Sequence, residues 1–227
     1  MIKDDVFLVA GNLLSLSRSV NDPWKKDVLD SILFSRLYAG SKSDRFSSAR
    51  QWHNYYIEAM GQLKWALVSS KSTRFELGDG TNFVLRHLIQ DKLATIMVSA
   101  QTEQFERLMS ATAQGLAEVL TTSVGDNAVV CFSTNNTLEL KTFALQLSLV
   151  GQGPVVYSAF VHFTTTQDVE SDFFNQELLS DMVVGEINIE IVRQVLNKVT
   201  YERSRMREKV LSSLPEEKSQ LVLELTS

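Results

Sequence analysis

The chain has 227 residues, with 27 acidic and 22 basic side chains and a formal net charge of -5. Apolar residues at 44% and charged residues at 22% exclude wholesale disorder, and three prolines exclude a collagen-like or proline-rich linker protein. The length is ample for a hydrophobic core. One α+β domain is expected over residues 1–215, helical to about 122 and then a sheet with a C-terminal helix, followed by a tail at 216–227.

The charge is unevenly spread. Residues 1–107 hold 14 basic and 12 acidic groups, residues 108–192 one and ten, and residues 193–227 seven and five. Phosphate contacts need Lys and Arg, so the middle third is no nucleic-acid surface and no nucleic-acid partner is expected. The single cysteine, Cys131, cannot close an intramolecular disulfide and lies in an apolar run, as a small buried hydrophobe would. Asp4 and Asp5 spoil the positive region of a secretory signal, and no apolar run of 18 residues marks a membrane helix. A cytoplasmic location, or export without a cleaved signal peptide, is expected.

In chain order, Val6, Leu8, Val9, Leu13, Leu14 and Leu16 suggest a first helix ending near Val20. Asp22-Pro23 starts a second, because proline suits the first helical turn, and Gly40 offers its stop. A third begins near Ser43 or Asp44 and carries Phe46, Trp52, Tyr56 and Met60 on one stripe. Residues 64–77 alternate as a short strand or hairpin, and Gly78-Asp79-Gly80 is a turn. Asp79 or Thr81 then caps a helix with Leu85, Ile89 and Leu93. A second helix with Phe105, Leu108 and Met109 follows a short link at Ser99–Gln101, so the pair should pack antiparallel.

An antiparallel β-meander is expected next: strand 128–134, strand 137–150, and strand 155–166 after the turn Gly151-Gln152-Gly153-Pro154. A phase slip near Lys141-Thr142 predicts a β-bulge. Residues 168–180 suggest a short acidic helix. Ile187, Ile189 and Ile191 alternate as a fourth strand, leading into a long C-terminal helix that ends near Leu214.

Catalytic motifs are missing: there is no Walker loop, dinucleotide fingerprint or nucleophile elbow. Gly78-Asp79-Gly80-Thr81 before a helix could hold an anion, or simply form a capped turn. His53, His87 and His162 have no metal-ligand spacing, so neither a metal nor a cofactor is expected. A dyad of Cys131 and His162 is the one nucleophilic arrangement conceivable, and nothing local activates the thiol. No enzymatic activity is expected. Lys198, Arg203, Arg205, Arg207 and Lys209 on the C-terminal helix form either a solvated face with local ion pairs or a docking surface for an acidic partner.

From Thr142 to Gln167 no residue is charged, across 26 positions. Phe143, Leu145, Leu147 and Leu149 occupy one face of the first arm, and Thr142, Ala144, Gln146 and Ser148 the other. A membrane β-barrel needs that alternation, and a half-buried soluble sheet produces it too.

Leu37-Tyr38-Ala39, Phe46, Trp52, Tyr55-Tyr56 and Leu63-x-Trp65, with the alternating stretch to Phe75, resemble the accessory proteins of the motility-associated killing factor toxin cluster of bacteria. Lysine stands at position 64, where that pattern would have glycine. The resemblance implies a non-enzymatic accessory or interaction protein with a protein partner from a toxin system. The order of a helix pair at 82–121 and a meander at 128–166 is similar to that of the insecticidal Cyt-type cytolysins. That resemblance implies the alternative, a membrane-active protein that inserts the hairpin 137–166.

Overall fold

The computed structural model describes residues 4–75, 80–121, 132–135, 140–170 and 172–225. The chain opens with a hairpin, β1 (Asp5–Val9) and β2 (Asn12–Leu16), followed by helices α1 (Asp22–Lys42) and α2 (Ala49–Gln62). Strands β3 (Trp65–Phe75) and β4 (Asn82–Val84) lead to α3 (Leu85–Leu93) and α4 (Ser99–Thr121). Strands β5 (Phe132–Asn135), β6 (Leu140–Gly151), β7 (Val155–Thr165), β8 (Glu177–Leu179) and β9 (Val183–Leu196) come next. Two short helices, α5 (Lys198–Arg203) and α6 (Met206–Ser213), precede β10 (Val222–Glu224).

Eight strands form one sheet in the order β10-β1-β2-β6-β7-β9-β3, with β5 beside β6, while β4 and β8 pair separately. The fold is mixed α and β. The sheet is not wholly antiparallel, because β2 runs parallel to β6, pairing Asn12 with Gln146 and Leu16 with Val150. Helices cover both faces. Leu85, Ile89, Leu93, Phe105 and Leu108 of α3 and α4 pack on one, and Val28, Ile32, Trp52 and Tyr56 of α1 and α2 on the other. Each such side chain contributes roughly 1.5–3 kcal/mol when fully buried.

Several expectations change. Residues 6–16 form the β1–β2 hairpin rather than a helix. Ala10 (φ 45°) and Gly11 (φ 78°) supply the two left-handed residues of a tight hairpin turn. Helix α2 begins at Ala49 instead of near Asp44, because the Asp44 carboxylate closes its own turn. It accepts from the backbone N–H groups of Phe46 at 3.0 Å and Ser47 at 2.7 Å. Lys64 lies in the left-handed region (φ 71°), the conformation in which glycine is strain-free.

The phase slip near Lys141 is absent from the described part of β6, which pairs with β7 without interruption from Lys141 to Gly151. Irregular register falls instead between Leu67 and Ser69 on β3, and between His162 and Thr164 on β7. In place of the short acidic helix, residues 172–175 form turns and Glu177–Leu179 is the strand β8, with the Gln176 side chain donating to the Asp168 carbonyl at 2.7 Å and Phe173 and Phe174 in the core. Thr81 precedes the short strand β4 rather than capping a helix, and α3 and α4 are joined through residues 94–98. The long C-terminal helix is replaced by the end of β9 and by α5 and α6. Asn197 accepts from the Thr200 N–H at 3.0 Å to start α5, and Arg205 (φ 50°) breaks the path between the two helices. Residues 222–224, within the expected tail, pair with β1 as β10.

Candidate functional site

The sheet's centre is formed by β6, β7 and β9, of 12, 11 and 14 residues. Side chains alternate between faces along each strand. Phe143, Leu145, Leu147 and Leu149 of β6 share one face with Tyr157, Ala159, Val161 and Phe163 of β7 and with Ile187, Ile189 and Ile191 of β9. That face is apolar except at its end, where Arg193 lies opposite Tyr157, and the Phe143 and Phe163 rings stack 4.6 Å apart across the strands. Arg193 holds its guanidinium 5.5 Å from the Tyr157 ring.

The opposite face is mixed: Ala144, Val150, Val156, Phe160 and Leu196 belong to the second core, and polar side chains are buried among them. Gln146, Ser148, Ser158 and Gln194 are each fully buried, as is Asn12 on β2. Asn12 Nδ2 donates to Ser148 Oγ at 3.1 Å, and Ser148 shares a 3.0 Å hydrogen bond with Ser158. Arg36, reaching in from α1, donates from Nη1 to Gln146 Oε1 at 2.5 Å and from Nε to the Ala10 carbonyl at 2.7 Å. The Gln146 Nε2, both ends of the Gln194 amide and the Ser35 hydroxyl have no hydrogen-bond partner among the described residues. Each buried orphan of this kind costs about 1–3 kcal/mol. Such groups need an explanation.

Aromatic rings from α2 lie over the same face. His53 stacks on Phe160 with ring centroids 5.1 Å apart and planes 4° from parallel, and Trp52 stacks on Phe160 at 5.3 Å. Burial pushes His53 down to about 4, and it pushes Tyr56 up to about 12 against the opposing influence of Arg36 and Gln146. Burial also lowers His162, whose Nε2–H donates to the Phe46 carbonyl at 3.2 Å.

The residues of the predicted basic cluster sit in different surroundings. Arg207 is committed to Asp27, with Nε donating to Oδ1 at 2.7 Å and Nη2 to Oδ2 at 2.5 Å. Lys198 holds its ammonium 5.1 Å from the Trp24 ring. Arg203, Arg205 and Lys209 are exposed. The Cys131–His162 pairing lies outside the described residues, as does the Gly78-Asp79 half of the glycine turn. Its other half has the Gly80 N–H donating to the Asp181 carboxylate at 3.0 Å. Among the described residues, no group of three His, Cys, Asp or Glu side chains could hold a metal, and no helix is long and apolar enough to cross a membrane.

Sequence reasoning missed the residues that make the second face unusual. In the sequence Gln146 lies on the polar face of the first hairpin arm, Gln194 falls where the fourth strand is expected to pass into the C-terminal helix, and Arg36 has no assigned role. The one available signal for Arg36 and Gln146 was their position within mostly apolar stretches, Ile32 to Leu37 and Phe143 to Leu149.

No family model and no curated protein matches the chain. Solved structures with a distantly similar outline include a delta-endotoxin, at 9% identity and TM-score 0.45, covering 82% of this chain and 80% of that one. The activated Cyt2Ba monomer of Bacillus thuringiensis subsp. israelensis is 8% identical with TM-score 0.44, covering 82% and 97%. The Evf virulence factor is 11% identical with TM-score 0.34, covering 86% and 73%. None of these three is named as belonging to the motility-associated killing factor cluster.

Proposed function

We propose that the protein is membrane-active, with β6, β7 and β9 as the segment that enters the bilayer. The observation that carries this reading is the contrast between the two buried faces of these strands. A soluble sheet sandwiched by helices gains nothing from burying the Gln194 amide and the Gln146 Nε2 without hydrogen-bond partners among the described residues. A sheet with its apolar face toward lipid and its other face toward water would hydrate them. A tilted strand needs about 9–11 residues to span the hydrocarbon, and all three strands are long enough. Residues 142–167 would carry no charge into it, and β9 would bring Glu186, Glu190 and Arg193. Open strand edges are not tolerated in lipid, so insertion would require several copies to close a sheet. The α3–α4 layer would have to leave first, breaking the bonds from Gln104 Nε2 to the Ser15 carbonyl at 3.0 Å and the Val150 carbonyl at 3.2 Å. No enzymatic step is involved.

Dye leakage from neutral and anionic vesicles tests the reading. Phe163→Trp, on the apolar face, should show quenching by brominated lipid beyond the wild-type level, whereas Phe160→Trp, on the opposite face, should not. Absence of leakage over a wide protein range, with equal quenching in both variants, would sink it.

One feature supports a second reading, that of an accessory interaction protein. Strand β3 ends the sheet among the described residues, and it exposes Leu67 (49%) and Val68 (54%) beside its register shift. Such an edge suits pairing with an extended strand of a protein partner, which under this reading is a component of a toxin system. The double variant Leu67→Lys, Val68→Lys should then lose co-purification with products of neighbouring genes while its stability changes by less than about 0.5 kcal/mol. Undiminished recovery of the same partner would remove the edge from consideration.

A further inference from the structure

The charges of the molecule separate along the axis of its central strands. Strand β6 ends at Gly151, β7 begins at Val155 and β9 ends at Leu196, so all three meet at one end of the sheet. There the Leu196 N–H donates to the Pro154 carbonyl at 3.2 Å, and the Asn197 N–H to the Lys64 carbonyl at 2.9 Å. Ser19, Asn21 and Trp24 before and within α1, Gln152 and Pro154 of the turn, and Lys198 of α5 line one cleft of about 430 Å³. Residues 196–209 continue from this end and hold five basic groups against two acidic ones, Glu202 and Glu208. Asp27 neutralises Arg207, while Arg203, Arg205 and Lys209 are exposed and form no ion pair among the described residues.

The other end carries the opposite sign. Strand β7 stops at Thr165 and β9 starts at Val183, and residues 166–186 hold six acidic groups with no Lys or Arg. Asp168 bonds to Lys141, and Glu170 and Glu186 are exposed. The 11 residues of β7 span about 35 Å, several times the distance over which salt at about 0.15 M screens a charge. A surface that meets one end therefore senses the charge of that end and not the net -5 of the chain.

We infer that the basic end is a docking surface for an anionic bilayer, met with the β6–β7 turn leading. The inference rests on the membrane-active reading for its choice of partner, and it adds the lipid charge and the orientation. The uncharged turn 151–154 then lies nearest the lipid, and the acidic end stays in water. Trp24, half-buried beside Lys198, and Val199, 57% exposed, sit among the cations. An indole ring and an apolar side chain suit the boundary between headgroups and acyl chains, and an acidic protein would offer Val199 no such medium.

Flotation of the full-length chain with phosphatidylcholine vesicles, with and without phosphatidylserine, tests the inference. Phosphatidylserine should raise recovery in the lipid fraction, and added salt should remove the gain. Arg203→Gln with Arg205→Gln should weaken the apparent affinity for anionic vesicles at least about tenfold, equivalent to about 1.4 kcal/mol. Arg203→Lys with Arg205→Lys should retain it, because a bilayer surface reads charge more than guanidinium geometry. Lys42→Gln with Arg50→Gln removes the same charge from the far end of α1 and the start of α2, both exposed, and should leave binding intact. No preference for phosphatidylserine, or one that survives loss of Arg203 and Arg205 or falls equally in the control, overturns the inference. Leakage from neutral and anionic vesicles alike, without that preference, would remove this docking surface and leave the membrane reading standing. Docking that depends on Arg203 and Arg205, without leakage, would keep the surface and sink insertion alone. Retention on immobilised polyglutamate that depends on the same two residues, with no vesicle preference, would assign the surface to an acidic protein and overturn the lipid assignment.

Discussion

Between pH 6.5 and pH 4, wild-type protein is expected to lose roughly 3 kcal/mol more stability than the His53→Gln variant. In the folded protein His53 is enclosed between α2 and β7, its Nε2 has no hydrogen-bond partner among the described residues, and burial pushes its pKa down to about 4. In the unfolded chain it titrates near the ordinary 6.5. Over the interval between those values the unfolded state binds the extra proton. Stability is therefore complete above the unfolded pKa and declines as pH falls toward the folded one. Carboxylates protonate over part of the same range in both proteins, so the difference between the two urea-denaturation series isolates His53. His162, lowered in the same direction by burial, contributes its own smaller slope to both. Parallel pH profiles would show that the ring is hydrated in the native state. Because His53 packs on Phe160 of β7, acid loosens the α2 cover of that sheet face. If the strands do enter bilayers, vesicle leakage should rise over the same pH interval.

Arg207→Ala is expected to cost about 3 kcal/mol, at the low end for removing one partner of a buried pair. Asp27 is only 2% exposed, and Arg207 supplies both of its short bonds. Without that guanidinium the carboxylate keeps, among the described residues, the Tyr201 hydroxyl 3.4 Å away. Burial, and then the negative charge of Asp27, push Tyr201 up to about 12, so the hydroxyl remains a donor but cannot replace a cation. Half of the Arg207 side chain is exposed, and water entering its place limits the loss. Adding Asp27→Asn to Arg207→Ala should recover part of the cost, since the double variant buries no unpaired charge. A single-variant loss below about 1 kcal/mol would mean that the carboxylate gains solvent when the pair opens.

These two expectations draw on different degrees of legibility. The hairpin of β6 and β7 could be read directly, because a long uncharged alternating run with glycine and proline at its turn has few other solutions. The start of α1 at Asp22 was equally plain from Asp22-Pro23. The β1–β2 hairpin was not, because both of its faces are buried. A strand covered on both sides loses the period-two pattern and reads like a buried helix. The same cause hid the end of β9, where Val192 and Leu196 extend the apolar run at a spacing that also fits a helix. Arg207 appeared as one of five surface cations until the fold brought Asp27 beneath it, 180 residues away in sequence.

The amino-acid sequence alone therefore determined the composition of the central strands, their turns and their lack of charge, all of which follow from local chemistry. Which face of those strands each helix layer covers was decided only by tertiary structure. A glutamine in a strand is hydrated by default, and only the docking of α1 and α2 across Gln146 and Gln194 turns two ordinary polar residues into buried, underpaired ones.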